Sequence, residues 1–226
     1  MRSEYAGSVI VVIGSPVGWL RDEAVVPAGT PALAALAAAA AGSQVQLVGR
    51  TGDDPAADGL LLGLARGGVG HVALLRDPAR LTPLVPEPAN DDVEPSLPDH
   101  EPPASSSERP VIPSLDAGDV DLGLRYLADY AVVVLADPAG PDVVRVVADA
   151  TSWSGARLVV VVEPGVEPPA GLPPDAIVFE APMEDPDGDF AALVGRFAAA
   201  LDDGSDAADA FRASLAEEGW TQTADD

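Results

Sequence analysis

The sequence predicts a three-layer α/β/α fold, in which a mainly parallel sheet is covered by helices on both sides. Two patterns predict it. First, several short runs such as Val9–Ile13 consist almost entirely of apolar, mostly β-branched residues, as expected of strands that are buried on both faces. Second, these runs alternate with stretches in which apolar residues recur at helical spacing. Such alternation is typical of parallel strands joined by crossover helices.

The elements follow one another in a regular order. The first strand, residues 9–13, ends at Gly14 and leads into a turn-rich segment, residues 15–18. Thr30, followed by Pro31, is expected to cap an alanine-rich helix that ends at Gly42. The further predicted strands cover residues 45–48, 71–75, 131–135, 158–162 and 176–179. The further predicted helices cover residues 55–66, 116–127, 141–151, 190–201 and 207–217.

Composition excludes several classes of function. The 226 residues carry a formal charge of -25, which disfavours binding to nucleic acid or to an anionic membrane. The chain has no cysteine and only two histidines, His71 and His100, so thiol chemistry and a histidine-rich metal site are excluded. All twelve cationic side chains are arginine, and without lysine neither a Schiff base nor a P-loop is possible. Because its apolar segments are too short to cross a bilayer, we expect a cytoplasmic protein.

One segment interrupts the pattern. Residues 86–113 contain eight prolines, many acidic residues and three consecutive serines, a composition that predicts a disordered acidic tether. Ordered patterning resumes after it, so residues 1–85 and 114–220 are expected to form one α/β domain with the tether inserted. Residues 221–226 are expected to form a tail.

Four features are candidate sites when the residues are taken by themselves. The turn of residues 14–18 follows the first strand, where a phosphate loop would lie, but its spacing is not G-x-G-x-x-G. Asp53 and Asp54 could bind Mg²⁺, although capping of the next helix is favoured. Residues 185–189 alternate acids like a calcium loop, yet a helix start with Asp189 as cap explains them better. The tryptophans Trp19, Trp153 and Trp220 are expected to pack against helix or loop edges, but Trp19, at the exit of the first strand, is the one placed to contact a ligand.

The stretch from Gly29 to Val69 resembles the ribokinase-like, or PfkB-type, carbohydrate kinases. It contains Val48-Gly49-Arg50-Thr51-Gly52-Asp53-Asp54, similar to that family's Val-Gly-x-x-Gly-Asp-Asp, and a following helix that ends in a Gly-Val pair. The resemblance implies a Rossmann-like α/β fold, a sugar or nucleoside substrate, and ATP with Mg²⁺ as cofactors.

The family's functional motifs are degenerate in this chain. Of its Gly-Gly-x-Gly-x-Asn substrate motif only Gly29 survives, and its sugar-binding aspartate falls at Trp19 or Gly18. The family's lid strands between the third and fourth sheet strands are expected to be replaced by the tether. Its Asn-x-x-Glu motif becomes residues 183–186, and no Gly-Ala-Gly-Asp motif occurs.

The C-terminal helices can be aligned to the family in two ways. Residues 188–204 could match the catalytic helix, with Ala191 at the catalytic aspartate. In the preferred alignment, the last helices match those that precede the nucleotide-binding half, and the chain stops before the ATP site. Both alignments leave the general base unassigned.

Three hypotheses follow. The first is a non-catalytic pseudokinase that needs no cofactor and acts by binding a protein partner or by forming a homodimer. The second is a divergent sugar or nucleoside kinase that uses ATP and Mg²⁺, with Asp53 and Asp54 as metal ligands. The third is a sensor that binds a small sugar or nucleoside near Gly29 and Trp19.

Overall fold

The computed structural model of the protein describes residues 8–21, 24–85, 113–127 and 129–216. In these ranges a six-stranded sheet has the order β5-β4-β1-β7-β8-β9, and every neighbouring pair is parallel. Its strands are β1 (Val9–Ile13), β4 (Gln44–Gly52), β5 (Val69–Asp77), β7 (Tyr130–Leu135), β8 (Arg157–Val162) and β9 (Ile177–Glu180). The predicted strands are all present, and β4 and β5 are longer than expected.

Helices connect the strands and cover both faces of the sheet. They are α1 (Gly29–Ala40), α2 (Pro55–Arg66), α3 (Ala117–Tyr126), α4 (Pro141–Ser154), α5 (Asp189–Asp202) and α6 (Ala207–Ala216). One apolar cluster joins the sheet to α1, α2, α5 and α6, and a second joins it to α3 and α4. The predicted three-layer α/β/α architecture is therefore confirmed. None of the helices in the described ranges is both long and apolar enough to span a membrane.

A close contact fixes α5 against α1. A Cβ atom at Gly195 would lie 2.2 Å from the Ala34 carbonyl oxygen and 2.8 Å from the Ala37 Cβ atom. The absence of a side chain at Gly195 thus lets the two helices approach until one backbone touches the other. Because α1 and α5 both pack against β1, this contact also holds α5 beside the centre of the sheet.

A second, three-stranded sheet corrects the prediction of a turn-rich segment after β1. Its strands are β2 (Val17–Arg21), β3 (Ala24–Ala28) and β6 (Leu84–Val85), in the order β3-β2-β6. The sequence obscured these strands because Gly18 and Pro27 normally disfavour strands, and Pro27 is tolerated on β3 because β3 lies at the sheet edge.

One strand of the small sheet, β6, lies between β5 and α3, where the tether was expected to replace the family's lid strands; that replacement stays a prediction. Strand β6 pairs with β2 and ends at Val85, before the tether. Of the tether predicted at residues 86–113, residues 86–112 lie outside the described residues, as does the tail at 221–226.

Two predicted helix caps are wrong. The residue that precedes α1 is Ala28, which makes no side-chain capping bond, and Thr30 lies inside the helix. At the start of α5, the carboxylate of Asp185 accepts hydrogen bonds from the backbone amides of Phe190 and Ala191, each at 3.1 Å. Asp185 therefore has the role predicted for Asp189, because Gly188 has a φ angle of 76° and turns the chain back over the helix end.

Candidate functional site

The central sheet has a topological switch point between β1 and β7. Strand β1 pairs with β4 on one side and with β7 on the other. The helix after β4, α2, and the helix after β7, α4, lie on opposite faces of the sheet. In open parallel sheets, ligands bind in the crevice that forms at such a point, outside the carboxyl ends of the strands. A ligand in this crevice would therefore contact the residues directly after β1 and β7.

Asp137 lies in this crevice, two residues beyond β7. Its Oδ2 atom accepts a hydrogen bond of 2.7 Å from the backbone amide of Ser15, which follows β1. Burial raises the pKa of Asp137 to about 6, and the bond from Ser15, which stabilises the charged form, offsets only part of that effect. A partly buried carboxyl group with a raised pKa in a cleft is typical of functional sites.

The strand ends around Asp137 are held rigidly. The Ala136 amide donates to the Ile13 carbonyl oxygen at 2.9 Å, and the Gly14 amide donates to the Val48 carbonyl oxygen at the same distance. A Cβ atom at Gly14 would lie 2.5 Å from Pro31 Cγ and 3.0 Å from Asp137 Oδ2. Glycine at this position therefore lets the first turn of α1 and the carboxylate of Asp137 approach each other.

A cavity of about 500 Å³ opens over these residues. This volume lies within the usual range for small-molecule sites. Ile13, Val17, Leu115, Leu135 and Val143 contribute apolar lining, while Ser15, Ser114 and Asp137 contribute polar side chains. Among the described residues that line it, Asp137 is the only one with an ionisable side chain.

The crevice also borders the amino terminus of α4. Gly140, the residue before the helix, lines the cavity and makes no side-chain cap. Pro141, the first residue of α4, has no amide hydrogen, but the amides of Asp142 and Val143 have no partner within the helix and can donate to a ligand oxygen. The site thus combines one acceptor, the Asp137 carboxylate, with backbone donors, a pairing that suits the hydroxyl groups of a neutral ligand.

The residues predicted to bind substrate lie at different distances from the crevice. A Cβ atom on Gly29 would lie 2.9 Å from Val17 Cγ2, and Val17 lines the cavity, so Gly29 lies directly behind the wall. Trp19 does not line the cavity. It is a half-buried residue of β2, opposite Val26 on β3 and Val85 on β6. Substrate binding by Gly29 and Trp19 stays a prediction.

The proposed phosphate turn at residues 14–18 has a different environment from the one a phosphate needs. The Ser15 amide already donates to the Asp137 carboxylate, and the turn ends where β2 begins at Val17. When Asp137 is ionised, its charge would repel a phosphate group at this amide. A second cavity of about 120 Å³ shares Asp137 and adds the carboxyl groups of Glu163 and Glu167.

Asp53 and Asp54 directly follow β4 and do not line this cavity. The Asp54 carboxylate accepts hydrogen bonds from the Ala57 amide at 2.9 Å and from the Thr82 amide at 2.7 Å. The predicted cap is thus confirmed, and the same side chain holds the loop that leads to β6. Asp53 instead forms an ion pair of 3.2 Å with Arg76.

The hydrogen bonds to Asp54 determine the direction in which its pKa is shifted. Burial tends to raise the pKa of Asp54, but the hydrogen bonds from Thr82 and Ala57 outweigh it and leave that pKa below its usual value. The described residues contain no group of three or more potential metal-ligating side chains. A metal role for Asp53 and Asp54 stays a prediction.

Sequence reasoning missed Asp137. It predicted strand β7 correctly but did not follow it to the acid that comes directly after Ala136. The available signal was a carboxyl residue at the end of a buried strand next to β1, where a doubly wound sheet places its ligand. The histidines add nothing to the site, since His71 is an exposed residue of β5 and His100 lies outside the described residues.

Neither a protein-family model nor a curated protein matches this chain. Solved structures do. A ribokinase II from E. coli without ligand matches with a TM-score of 0.64 and 14% identity, covering 92% of this chain and 90% of that one. A ribokinase from Agrobacterium tumefaciens matches with a TM-score of 0.62 and 15% identity, over 92% and 89% of the two chains.

A third structure is an Arabidopsis thaliana ribokinase complexed with ribose and ATP. It matches with a TM-score of 0.61 and 14% identity, over 93% of this chain and 91% of the plant protein. The resemblance found in residues 29–69 thus extends, at the level of the backbone, over nearly the whole chain. This protein has the ribokinase-like fold.

Proposed function

We propose that the protein binds a small, neutral, hydroxyl-bearing molecule in the crevice at Asp137 and does not transfer phosphate to it. The observation that carries the proposal is the partly buried Asp137 carboxyl group, which is held by the Ser15 amide in a cavity of about 500 Å³ at the switch point. One oxygen of this carboxylate is engaged by the Ser15 amide. The other can accept a hydrogen bond from a ligand hydroxyl group.

The charge of the crevice supports a neutral ligand. Its described lining contains a carboxyl group and no arginine or histidine, and the chain has no lysine at all. Phosphoryl transfer depends on cations that hold and neutralise the phosphates. The carboxylates of Asp53 and Asp54 are already engaged by Arg76 and by backbone amides, so the described residues are a poor fit to a magnesium–nucleotide complex.

A role without catalysis implies that binding is communicated to another molecule. The protein would then act as a sensor that recruits a protein partner, or a second copy of itself, according to whether the crevice is filled. This accords with the absence of the Gly-Ala-Gly-Asp motif from the sequence.

Thermal unfolding with a panel of sugars and nucleosides tests the proposal. A ligand of the native state at one hundred times its dissociation constant contributes about 2.7 kcal/mol. For a domain of this size, that corresponds to a rise of about 5–10 °C in Tm. We expect such a rise with at least one neutral compound and none with Mg-ATP. Loss of the rise in Asp137→Asn, but not in the exposed variant Asp149→Asn, would assign it to the crevice.

A divergent kinase is the second candidate function. Two observations favour it: the pKa of Asp137, at about 6, suits a general base, and the match to the ATP-bound plant ribokinase covers 91% of that protein. The same coverage supports the alignment in which α5 takes the place of the catalytic helix. Transfer of the γ-phosphate of ATP to a sugar, lowered about 10²–10⁴-fold in Asp137→Asn, would establish this alternative.

A further inference from the structure

Arg50 ties the carboxyl end of β4 to the first turn of α3. Its Nη2 atom lies 2.6 Å from Asp119 Oδ2 and donates to Asp119 Oδ1 at 2.8 Å. Its Nη1 atom lies 3.6 Å from the carboxylate of Asp77, the last residue of β5. The three side chains are only 13–26% exposed, so salt screens these ion pairs less than it screens pairs on the open surface. The pairs therefore hold the start of α3 against the end of the sheet.

Asp119 also organises the chain at the start of α3. Its carboxylate accepts a hydrogen bond of 3.3 Å from the Asp116 amide, and the Asp116 carboxylate accepts one of 2.9 Å from the Asp119 amide. This reciprocal capping box fixes the backbone of Asp116 relative to the first turn of the helix. Because Arg50 binds the same Asp119 carboxylate, it connects Asp116 to the sheet.

The residues directly before Asp116 form one wall of the crevice. Pro113, Ser114 and Leu115 line the cavity of about 500 Å³ that also contains Asp137. Ser114 is exposed, while Leu115 packs in part against the apolar cluster on this face of the sheet. The Ser114 hydroxyl group can donate a hydrogen bond to a ligand or accept one from it. This wall thus offers the crevice a polar group in addition to the Asp137 carboxylate.

Packing fixes the middle of α3 independently of Arg50. Val120 is fully buried, and a Cβ atom at Gly123 would lie 2.9 Å from Val48 Cγ1 on β4. The first turn precedes these contacts, and it includes the exposed residue Gly118. Because polar contacts hold this turn, loss of the Arg50 side chain should displace it without unfolding the helix.

We propose that Ser114 is a ligand-binding residue of the crevice and that Arg50 is the residue that positions it, through Asp119. The inference rests on the proposed function, since it assigns a further group that contacts the ligand bound at Asp137. Asp137 follows β7, whereas Ser114 precedes α3, so the two polar groups come from different elements around the cavity. A ligand that contacts both carries at least two hydrogen-bonding groups. Its affinity depends on the alignment of both protein groups, so a displaced wall weakens binding even when the carboxylate is intact.

A double-mutant cycle on ligand affinity tests the assignment, and its probe is the neutral compound that gives the largest thermal shift. Ser114→Ala should raise the dissociation constant about three- to tenfold, the usual effect of losing one hydrogen bond between neutral groups. Arg50→Met should raise it by a similar factor. In the double variant the two factors should not multiply, because a displaced Ser114 has no hydrogen bond left to lose. Effects that multiply, or an unchanged affinity in either single variant, would overturn the proposal.

Arg76→Met is the matched control. Arg76 lies on β5 and forms ion pairs with Asp53 and Asp58, which lie beside and within α2. Like Arg50→Met, the change removes one arginine that has two carboxylate partners, but it should leave ligand affinity unchanged. Arg50→Lys keeps a positive charge near Asp119 and should recover part of the affinity that Arg50→Met loses. An equal loss of affinity in Arg76→Met and Arg50→Met would contradict a specific role of Arg50.

Hydrogen exchange of the ligand-free full chain separates this proposal from the proposed function. In Arg50→Met, residues 114–120 should lose protection while residues 14–18 keep that of the wild type. Asp119→Asn, which removes the charge on the other side of the ion pair, should have the same effect and replaces Arg50→Met if that variant does not fold. If no compound binds, the proposed function fails and the role of Ser114 fails with it, whereas exchange still decides the role of Arg50. Unchanged exchange at residues 114–120, or a loss of protection spread over the whole chain, would overturn that role.

Discussion

Replacing Asp137 with asparagine should stabilise the protein at neutral pH. The pKa of Asp137 rises from 3.8 to about 6 on folding, so the folded state binds a proton more tightly than the unfolded state does. Between these two values the free energy of unfolding falls as pH rises, and above them ionised Asp137 destabilises the fold. A rise in the pKa from 3.8 to about 6 corresponds to about 3 kcal/mol. Asparagine carries no charge and keeps an oxygen that can accept the hydrogen bond from the Ser15 amide. It should therefore recover much of the free energy of unfolding that ionised Asp137 removes.

Urea denaturation at two pH values measures the effect. At about pH 7.5, Asp137→Asn should unfold at a higher urea concentration than the wild type, by up to about 3 kcal/mol. At about pH 4 the gain should nearly vanish, because the wild-type carboxyl group is then protonated in the folded state. Asp149→Asn, an exposed change on α4, corrects for the general effect of removing one negative charge. An equal gain at both pH values, or a loss of stability at neutral pH, would refute the reasoning.

Three further predictions concern the framework that holds the site. Gly195→Ala should cost about 1–3 kcal/mol in urea denaturation, because its methyl group would collide with the α1 backbone. Gly140→Ala, which meets nothing within 4 Å, is its control, and equal effects of the two changes would contradict this account of the helix contact. Asp54→Ala should cost about 1–2 kcal/mol at neutral pH as a lost helix cap, whereas loss of the exposed ion pair in Asp53→Ala should cost less than about 1 kcal/mol. Because folding lowers the pKa of Asp54, the stabilisation by its carboxylate is present above pH 3.8 and is lost as the pH falls through the pKa of the folded state. A difference in stability between Asp54→Ala and Asp53→Ala that persists in strong acid would contradict the hydrogen bonds assigned to Asp54. Asp185→Ala should cost about 1 kcal/mol by removing the α5 cap, and an unchanged urea midpoint would show that the cap contributes nothing.

Sequence patterns were sufficient for the elements that are defined by burial. Strand β7 is apolar on both faces and is flanked by helices, so its position could be predicted to within a residue. A cap by Asp53 or Asp54 could also be predicted, because acids directly before a proline at a helix start commonly cap the helix, and the structure assigns it to Asp54. Both features depend on local chemistry alone.

The rest depends on contacts between distant parts of the chain. Strand β2 contains a glycine, and β3 contains a proline, so neither resembles a strand until the two are paired with each other and with β6. The role of Asp137 depends on the Ser15 amide, which lies 122 positions away and reaches it only through the pairing of β1 with β7. The cap of α5 shows the same limit on a smaller scale, since the turn at Gly188 lets Asp185 reach back over the helix end.

The account is tested most directly by the pH dependence of ligand affinity, measured by calorimetry with the neutral compound that gives the largest thermal shift. If the Asp137 carboxylate accepts a ligand hydroxyl group, its protonation replaces a charge-assisted hydrogen bond with a weaker neutral one. Affinity should then fall about tenfold as the pH is lowered through 6, and Asp137→Asn should bind weakly at every pH. An affinity that does not change across this range, or is retained in Asp137→Asn, would show that the crevice at Asp137 is not the binding site.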